Sequence, residues 1–365
     1  SNEIDLFKIS RILLQLMGET YNKNTLKRII FFRIFNSVIM VYTSLFITAN
    51  FFYASGGNHV ETMQGLILVT HTLLKYLLYI YFKPGIRELL QNKHEESWAY
   101  QDIDNHIMAA IIKMSKTTEL IQVFVLLAMS ITAILYLFRP ILTRNNPFPF
   151  EAWVSGVIIM DVITLACLYY FFCIVIPIVL SYDSIYLCLC IQTVGQVKLL
   201  KNRLRYFQGS VKADISYYIK YHQFLLSTFS GLRRLYSSML LFHYFVTLIT
   251  ACTGIFEVLM GRNSATDIAA KAITICAAFF QFAYYTFPAE MIAFELSDLS
   301  NSIYLSKWYI NTVNVQKQLL FMMTKSQHQL YFTGGGLIDI NVKTFGSAVR
   351  TSFSFYTLLR NILTK

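Results

Sequence analysis

The chain contains seven long apolar segments, separated by stretches that hold most of its charged residues. Each segment has the roughly 20 residues that an α-helix needs to cross the hydrocarbon core of a bilayer. Only 14% of all residues are charged, against roughly 25% in soluble domains. The sequence therefore predicts an all-α membrane protein with seven transmembrane helices and argues against a soluble enzyme. The predicted spans are 29–54, 62–82, 118–138, 153–182, 236–260, 268–288 and 340–363.

The positively charged residues fall mainly on one side of the predicted membrane. Most of the 31 lysines and arginines lie in the amino-terminal stretch and in the links between spans two and three, four and five, and six and seven. Because lysine and arginine accumulate in cytosolic loops, the amino terminus is predicted to be cytosolic and the carboxyl terminus extracellular. This orientation is inverted relative to a G-protein-coupled receptor. It accounts for the net charge of +11, which therefore indicates no nucleic-acid partner.

The predicted cytosolic links contain amphipathic stretches, of which 198–234 is the longest. They are interpreted as helical extensions of the spans that pack into an oligomerisation (anchor) region. The chain accordingly divides into a six-helix ligand-binding bundle with its extensions (1–311), a cytosolic amphipathic helix with a glycine break (312–338) and a pore-lining seventh helix (339–365). The glycines at 334–336 are expected to end the amphipathic helix, with a plain flexible loop as the alternative.

The seventh segment is too polar for a helix surrounded by lipid, so one of its faces has to meet water or protein. Thr351, Ser354, Leu358 and Asn361 follow one another at helical spacing and lie on one face. In a ring of such helices, Leu358 would form an apolar constriction and the three polar side chains would face permeating cations. The alternative is a polar seam packed against neighbouring helices.

Ionisable residues inside the predicted spans are unfavourable unless they are paired or face the protein interior. His71 and Lys75 lie four residues apart, on one face of the second span, and Asp161 lies in the fourth span. A structural clasp between Asp161 and Lys75 or His71 is the favoured arrangement. Direct ligand contact or a proton relay is the alternative.

The predicted outer halves of spans two, three, four and six supply aromatic, methionine and isolated hydroxyl side chains. Such side chains suit a pocket for a small uncharged molecule, because they offer a large contact area with few orienting hydrogen bonds. Ordinary core packing is the alternative. The candidate ligand-binding residues are Val69, His71, Thr72, Met129, Thr132, Tyr136, Val157, Asp161, Phe280, Gln281 and Tyr284.

Signatures of soluble catalysis and of cofactor binding are missing from the sequence. It has no P-loop, no nucleophile elbow and no His-Glu-x-x-His motif, and the glycines at 334–336 lack dinucleotide-binding spacing. Cys188 and Cys190 form a C-x-C pair without the further ligands of a zinc site, so they are interpreted as ordinary thiols. No enzyme activity, cofactor or metal is predicted.

Short motifs follow one another in the carboxyl-terminal hundred residues. They are 287–290 (FPAE), 303–308 (IYLSKW), 332–336 (FTGGG), 344–345 (TF) and 352–360 (SFSFYTLLR). In order and spacing they resemble the insect odorant receptors, a seven-helix olfactory channel family with inverted topology. The remaining chain resembles that family in length, orientation and span layout. The modest link between spans four and five resembles a ligand-tuned member rather than the coreceptor.

The resemblance implies a non-selective channel for monovalent and divalent cations that opens when a small neutral volatile binds. It implies a heterotetramer with the family's coreceptor, embedded in the lipid of the dendritic plasma membrane of olfactory sensory neurons. The last helix of each subunit would line the pore. Leu358 matches the family's apolar gate position and Asn361 its neighbouring polar position.

Three other classes of protein compete with this interpretation. Gustatory receptors are closely related, but their last helix usually carries a Thr-Tyr…Gln-Phe pattern, which 352–357 lacks. A G-protein-coupled receptor is disfavoured by the inverted topology and by the missing Asp-Arg-Tyr and Asn-Pro-x-x-Tyr motifs. A secondary transporter would show an internal repeat with interrupted helices, and the sequence shows neither.

Overall fold

The chain folds almost entirely into α-helices. A computed structural model describes residues 7–16, 26–53, 59–97, 104–143, 148–149, 152–207, 215–260, 265–328 and 330–363. Within these residues the helices are α1 (Lys8–Leu16), α2 (Leu26–Tyr53), α3 (His59–Glu96), α4 (Asn105–Thr143), α5 (Ile158–Arg205), α6 (Ile215–Met260), α7 (Ala265–Tyr304), α8 (Val313–Gln327) and α9 (Val342–Leu363). A short 3-10 helix (Trp308–Ile310) precedes α8, and two strands, β1 (Phe332–Gly334) and β2 (Ile338–Ile340), precede α9.

Six of the helices, α2 to α7, are long and apolar enough to cross a membrane. They confirm the helical and apolar character of the first six predicted spans, but most of them are much longer than a span. α5 has 48 residues, which is about 72 Å of helix against about 30 Å of hydrocarbon core. At one end of the bundle, Tyr53 of α2 contacts Trp153 before α5, and Gln64 of α3 contacts Glu257 of α6 and Lys271 of α7. That end is called the outer end, after its predicted orientation.

α5 is the central helix of the bundle. It packs against α1, α2, α3, α4, α6 and α7, and nearly every described side chain between Pro177 and Leu200 is buried. By contrast, its first turns expose apolar side chains such as Ile158 and Ile159. One continuous helix therefore passes from an exposed outer part to a part enclosed by protein.

Within the predicted 198–234 region, residues 198–205 and 215–234 are helical and continue α5 and α6, whereas 208–214 lie outside the described residues. Lys198 and Lys201 on α5 each lie 2.7 Å from a carboxylate oxygen of Glu295 on α7. Lys201 also pairs with Asp298. These ion pairs join two helices beyond the apolar spans, and the proposed assembly role of this region stays a prediction.

The glycine triplet forms a β-hairpin rather than a plain helix break or a flexible loop. β1 and β2 pair antiparallel, and the Leu337 N–H donates to the Gly334 carbonyl at 3.0 Å. Gly335 and Gly336 have φ angles of 60° and 73°, a conformation that glycine adopts readily and other residues avoid. Among the described residues, this hairpin is the one departure from the predicted all-α fold. Its strands have three residues each, too few to produce a recognisable alternation in the sequence.

The hairpin docks closely onto α6. The Gly335 N–H donates to the Ser237 carbonyl at 3.0 Å, and the Ser237 hydroxyl donates to the Thr333 carbonyl at 2.7 Å. A β-carbon on Gly335 would lie 2.6 Å from the Leu241 side chain. Phe332 at the start of β1 is fully buried. The hairpin is therefore a packed part of the core.

α9 begins directly after the hairpin and covers most of the predicted seventh span. Asn341 caps it by accepting a hydrogen bond from the Thr344 N–H at 2.9 Å, as asparagine commonly does at this position. The Phe345 ring stacks on Phe282 of α7 with centroids 5.9 Å apart, and Ala348 is fully buried. The bundle therefore holds one side of α9. That α9 spans a membrane stays a prediction.

Candidate functional site

A buried ion pair joins α3 to α5 inside the bundle. The Lys75 ammonium group donates to both carboxylate oxygens of Asp183, at 2.7 and 2.8 Å. The Lys75 side chain is fully buried, and that of Asp183 is 6% exposed. A buried charge without a partner is strongly unfavourable, so each of the two residues requires the other. Together they contribute no net charge to the interior.

Two side chains of α7 complete the hydrogen bonding of the Asp183 carboxylate. The Tyr285 hydroxyl donates to Oδ1, and the Gln281 amide donates to Oδ2 at 3.4 Å. Both reach the carboxylate because residues four apart lie on the same face of a helix. Lys75 Nζ also lies 5.7 Å from the centre of the Tyr285 ring, within range of a cation–π interaction. The carboxylate is therefore fully engaged by protein groups.

Two buried histidines lie beside this ion pair. His71 precedes Lys75 by one turn of α3, and His243 comes from α6. Their rings are edge-to-face with centroids 4.9 Å apart, and the His243 ring lies 4.4 Å from that of Tyr285. Neither histidine has a hydrogen-bond partner at Nε2 among the residues that the structure describes.

Three further tyrosines, Tyr186, Tyr236 and Tyr182, form a series of ring contacts that begins at Tyr285. The Tyr186 ring stacks on Tyr285 with centroids 4.8 Å apart, and the Tyr236 ring lies between Tyr186 and Tyr182, at 4.7 and 4.9 Å. The hydroxyl groups of Tyr182 and Tyr236 are buried, and no described residue hydrogen-bonds to them. We use the name polar cluster for His71, Lys75, Tyr182, Asp183, Tyr236, His243, Gln281 and Tyr285.

The predicted ligand-binding residues differ in their surroundings. Those that are buried on α3 are Val69, His71 and Thr72. Those that are partly buried and pack against the core are Met129, Tyr136 and Tyr284. Those that are exposed are Thr132, Val157 and Phe280. His71 and Gln281 belong to the polar cluster, and ligand contact by any of these residues stays a prediction.

Asp161 does not pair with Lys75 or His71, so the predicted clasp was wrong. Its carboxylate lies in the first turn of α5 and accepts hydrogen bonds from the Ser155 N–H at 2.9 Å and the Ser155 hydroxyl at 2.8 Å. About 33 Å of helix separates it from Asp183. A negative charge at the amino end of a helix is favourable, and this local role explains why Asp161 needs no distant cation. A part for it in ligand binding stays a prediction.

Asp183, His243 and Tyr285 were not singled out from the sequence. Asp183 comes one residue after the predicted end of span four, and the apolar sequence continues beyond it to Leu200. The sequence signal that could have identified Asp183 was its position as a charged residue within an uninterrupted apolar stretch. His243 lies in predicted span five and carried the same signal as His71.

The predicted pore residues lie on the side of α9 that the bundle leaves free. Their side chains are exposed, and they are Thr351, Ser354, Leu358 and Asn361. Ser352 lies among them in sequence but is buried, and its hydroxyl donates to the Ala348 carbonyl at 3.0 Å. The structure therefore separates a packed side of α9 from an exposed side, and pore lining stays a prediction.

The family profile described as 7tm Odorant receptor matches residues 55–353. The chain belongs to the 7tm odorant receptor family. This membership makes it a multi-pass membrane protein and selects the odorant receptors over the gustatory receptors. Odorant receptor 19a of Drosophila melanogaster is 25% identical over 145 residues, which is 40% of this chain. The matched part is 38% of that relative's own length.

The fold of this odorant receptor family member is similar to that of a solved insect receptor. The insect olfactory receptor OR5 from Machilis hrabei superposes with a TM-score of 0.81 at 16% identity, covering 97% of both chains. The same receptor in complex with eugenol superposes with a TM-score of 0.79 at 16% identity, covering 98% of this chain and 97% of that one. At 16% identity, these superpositions show that the two proteins share a fold.

Proposed function

We propose that this chain is the odorant-binding subunit of a ligand-gated, non-selective cation channel. A small neutral volatile binds in the outer half of the helical bundle and opens a pore lined by α9. Membership of the odorant receptor family supports a role in olfaction. The eugenol complex of the similar Machilis hrabei receptor supports a small-molecule ligand.

The observation that carries this proposal is the unequal environment of the two sides of α9. Phe345 and Ala348 pack on the bundle, whereas Thr351, Ser354 and Leu358 are exposed. A polar helix face is unfavourable in lipid, so it requires water or other subunits around it. A ring of subunits with α9 at its axis meets this requirement. Leu358 then forms an apolar constriction, and the hydroxyl groups meet the permeating cations.

The charge balance of the bundle interior supports a neutral ligand. Lys75 and Asp183 neutralise each other, and the Asp183 carboxylate is fully hydrogen-bonded. A charged ligand would enter an apolar interior without a partner, which is strongly unfavourable. Charged analogues are therefore expected to activate less well than neutral ones.

The hairpin supports coupling between the bundle and α9. It is hydrogen-bonded to Ser237 on α6, and its second strand leads directly into α9. A displacement of α6 therefore acts on the first turn of α9. The ligand drives opening only if it binds the open arrangement more tightly than the closed one.

Exposed apolar side chains near the inner end of the bundle support assembly with the coreceptor as a heterotetramer. Tyr309, Ile310, Leu320 and Phe321 are all more than half exposed. Patches of this kind are typical of protein interfaces. The complex is proposed to reside in the dendritic plasma membrane of olfactory sensory neurons, with the amino terminus in the cytosol.

The proposal is tested by whole-cell current in cells that express this chain with the coreceptor, each subunit alone, and both with G-protein signalling blocked. A panel of neutral volatiles is applied to each. We expect a current that requires both subunits and persists under the block. A response of this chain alone that disappears under the block would overturn the channel proposal and favour a metabotropic receptor.

Leu358→Ala is expected to increase the current in the absence of ligand several-fold, because it removes the apolar constriction that keeps a closed pore dry. Val349→Ala is the matched control. Val349 is also exposed, but it lies nine residues away, half a turn around the helix from Leu358 and beside the packed Phe345. Equal effects of the two substitutions would contradict a pore lined by the Leu358 side.

A further inference from the structure

Some buried polar atoms of the polar cluster make no hydrogen bond to any described residue. His71 Nε2, His243 Nε2 and the hydroxyl groups of Tyr182 and Tyr236 are buried without a partner among the described residues. Buried polar groups in folded proteins nearly always have a protein or water partner. The two histidine nitrogens belong to rings 4.9 Å apart, so one further molecule can supply both missing hydrogen bonds.

The neighbouring charged residues cannot supply them. Asp183 already accepts hydrogen bonds from Lys75, Tyr285 and Gln281. The His71 and His243 rings meet edge-to-face, 4.9 Å apart, and do not hydrogen-bond each other through their Nε2 atoms. Because the Lys75–Asp183 ion pair is already fully hydrogen-bonded, the atoms without partners all belong to uncharged side chains.

The chemistry of these neutral groups selects the kind of molecule that fits. A neutral imidazole Nε2 either donates or accepts a hydrogen bond, and a tyrosine hydroxyl can do both. A hydroxyl group can accept a hydrogen bond from one histidine at its oxygen and donate its O–H to the other. An ammonium or carboxylate would find no free opposite charge, and a hydrocarbon would leave both Nε2 atoms unsatisfied.

His71 belongs to the predicted ligand-binding residues, and the His243 ring contacts it. His71 is flanked on α3 by Val69 and Thr72, which are both buried. On α7, one turn separates Gln281 from Tyr285, whose ring lies against His243. The His71 ring also lies 5.7 Å from the Phe242 ring, so a hydroxyl and an attached apolar chain would both find suitable neighbours.

We infer that His71 and His243 form a subsite for the hydroxyl group of the ligand, so that the receptor prefers alcohols over molecules of the same size without an O–H donor. This inference rests on the proposed function and specifies the chemical class of its ligand. The rival source of the same hydrogen bonds is buried water, which would give no such preference.

The test compares three probes with equal numbers of non-hydrogen atoms on the receptor expressed with its coreceptor. For each alkan-1-ol from butanol to decanol, the alcohol is matched with the methyl ether in which the oxygen lies one position inward, and with the alkane. An example is octan-1-ol, 1-methoxyheptane and nonane. We expect at least one alcohol to activate at a concentration about 3- to 10-fold lower than its ether, the range corresponding to one net hydrogen bond.

Two substitutions locate the preference. His243→Phe and His71→Phe are each expected to remove the difference between alcohol and ether while the response to the alkane persists. His243→Gln retains a neutral donor and acceptor and should preserve part of the difference. His222→Gln is the matched control, because His222 is also buried on α6 but its Nε2 lies 3.4 Å from the Ser326 hydroxyl.

The ranking of probes by the unsubstituted receptor is decisive by itself, so the test does not depend on the variants folding. If no alcohol is preferred over its ether and alkane, the inference is overturned and water is the partner of the histidines. If the preference survives both phenylalanine substitutions, the subsite is elsewhere. In either case a coreceptor-dependent current to other volatiles would leave the proposed function intact, whereas its absence would overturn that function.

Discussion

The two parts of α5 have similarly apolar sequences but opposite surroundings. Near the outer end, Ile158, Ile159 and Val162 are all more than half exposed. From Pro177 to Leu200 nearly every described side chain is buried. In a membrane protein the first set faces lipid, whereas the second packs against other helices. Apolar composition alone therefore does not show which residues form the core.

The difference extends to the acidic residues of the same helix. Asp161 in the outer part accepts hydrogen bonds from Ser155, which precedes the helix. Asp183 in the enclosed part accepts four hydrogen bonds from three side chains on two other helices. A carboxylate near a helix end can be stabilised locally, whereas a buried one requires partners from distant sequence. The enclosed part is thus where a substitution is expected to have the largest effect.

Asp183→Leu should lower the free energy of unfolding by about 3–5 kcal/mol, because it leaves the buried Lys75 without a counter-ion. Thermal unfolding of the detergent-purified receptor complex measures the loss. The double variant Lys75→Met with Asp183→Leu should recover most of it, since it removes both charges. A double variant as unstable as Asp183→Leu would show that the ion pair is not the reason for the effect.

Leu189→Ala should destabilise by about 2–5 kcal/mol, because Leu189 is fully buried in the enclosed part of α5 and its loss creates a cavity. Ile159→Ala in the exposed part is expected to change stability by no more than about 0.5 kcal/mol. The same unfolding assay measures both. Similar losses at the two positions would contradict the division of α5 into enclosed and exposed parts.

Gly335→Ala and Gly336→Ala test how closely the hairpin packs on α6. Both residues have positive φ, so each substitution should cost about 1–2 kcal/mol through the backbone. Only Gly335 has Leu241 within 2.6 Å of an added β-carbon, whereas Gly336 faces open space. Gly335→Ala should therefore be worse by a further 1–3 kcal/mol or so. Equal melting temperatures for the two variants would argue against this packing.

Asp161→Asn should have the smallest effect, about 0.3–1 kcal/mol, because it removes only a favourable charge at a partly exposed helix end. Asp183→Asn is the matched substitution in the enclosed part and should be clearly more destabilising in the same assay. A larger loss at Asp161 would indicate a distant partner for this carboxylate after all.

The apolar segments and their order were predictable because hydrophobicity and helical spacing are local properties of the chain. The need for Lys75 to have a partner was predictable for the same reason, since any lysine in an apolar helix is unfavourable alone. The identity of the partner was not. Asp183 lies 108 residues from Lys75 in sequence, and Asp161 satisfied the same rule equally well.

The candidate site shows the same limit. His71 and Gln281 were among the predicted ligand-binding residues, but nothing local connects them with His243 or Tyr285. Four helices, α3, α5, α6 and α7, contribute to the polar cluster, and only their packing shows that two histidines share one neighbourhood. The hairpin was missed because its strands are short and its stability comes from contacts with α6.

The sequence by itself determined the number and apolar character of the first six spans, the amphipathic pattern of α9 and the resemblance to the odorant receptors. Each of these depends on residues close together along the chain. The tertiary structure alone decided which carboxylate neutralises Lys75, which side of α9 is packed and which polar atoms remain without partners. The physical reason is that an apolar stretch is equally compatible with lipid and with protein, so only the packed arrangement distinguishes a surface from a core.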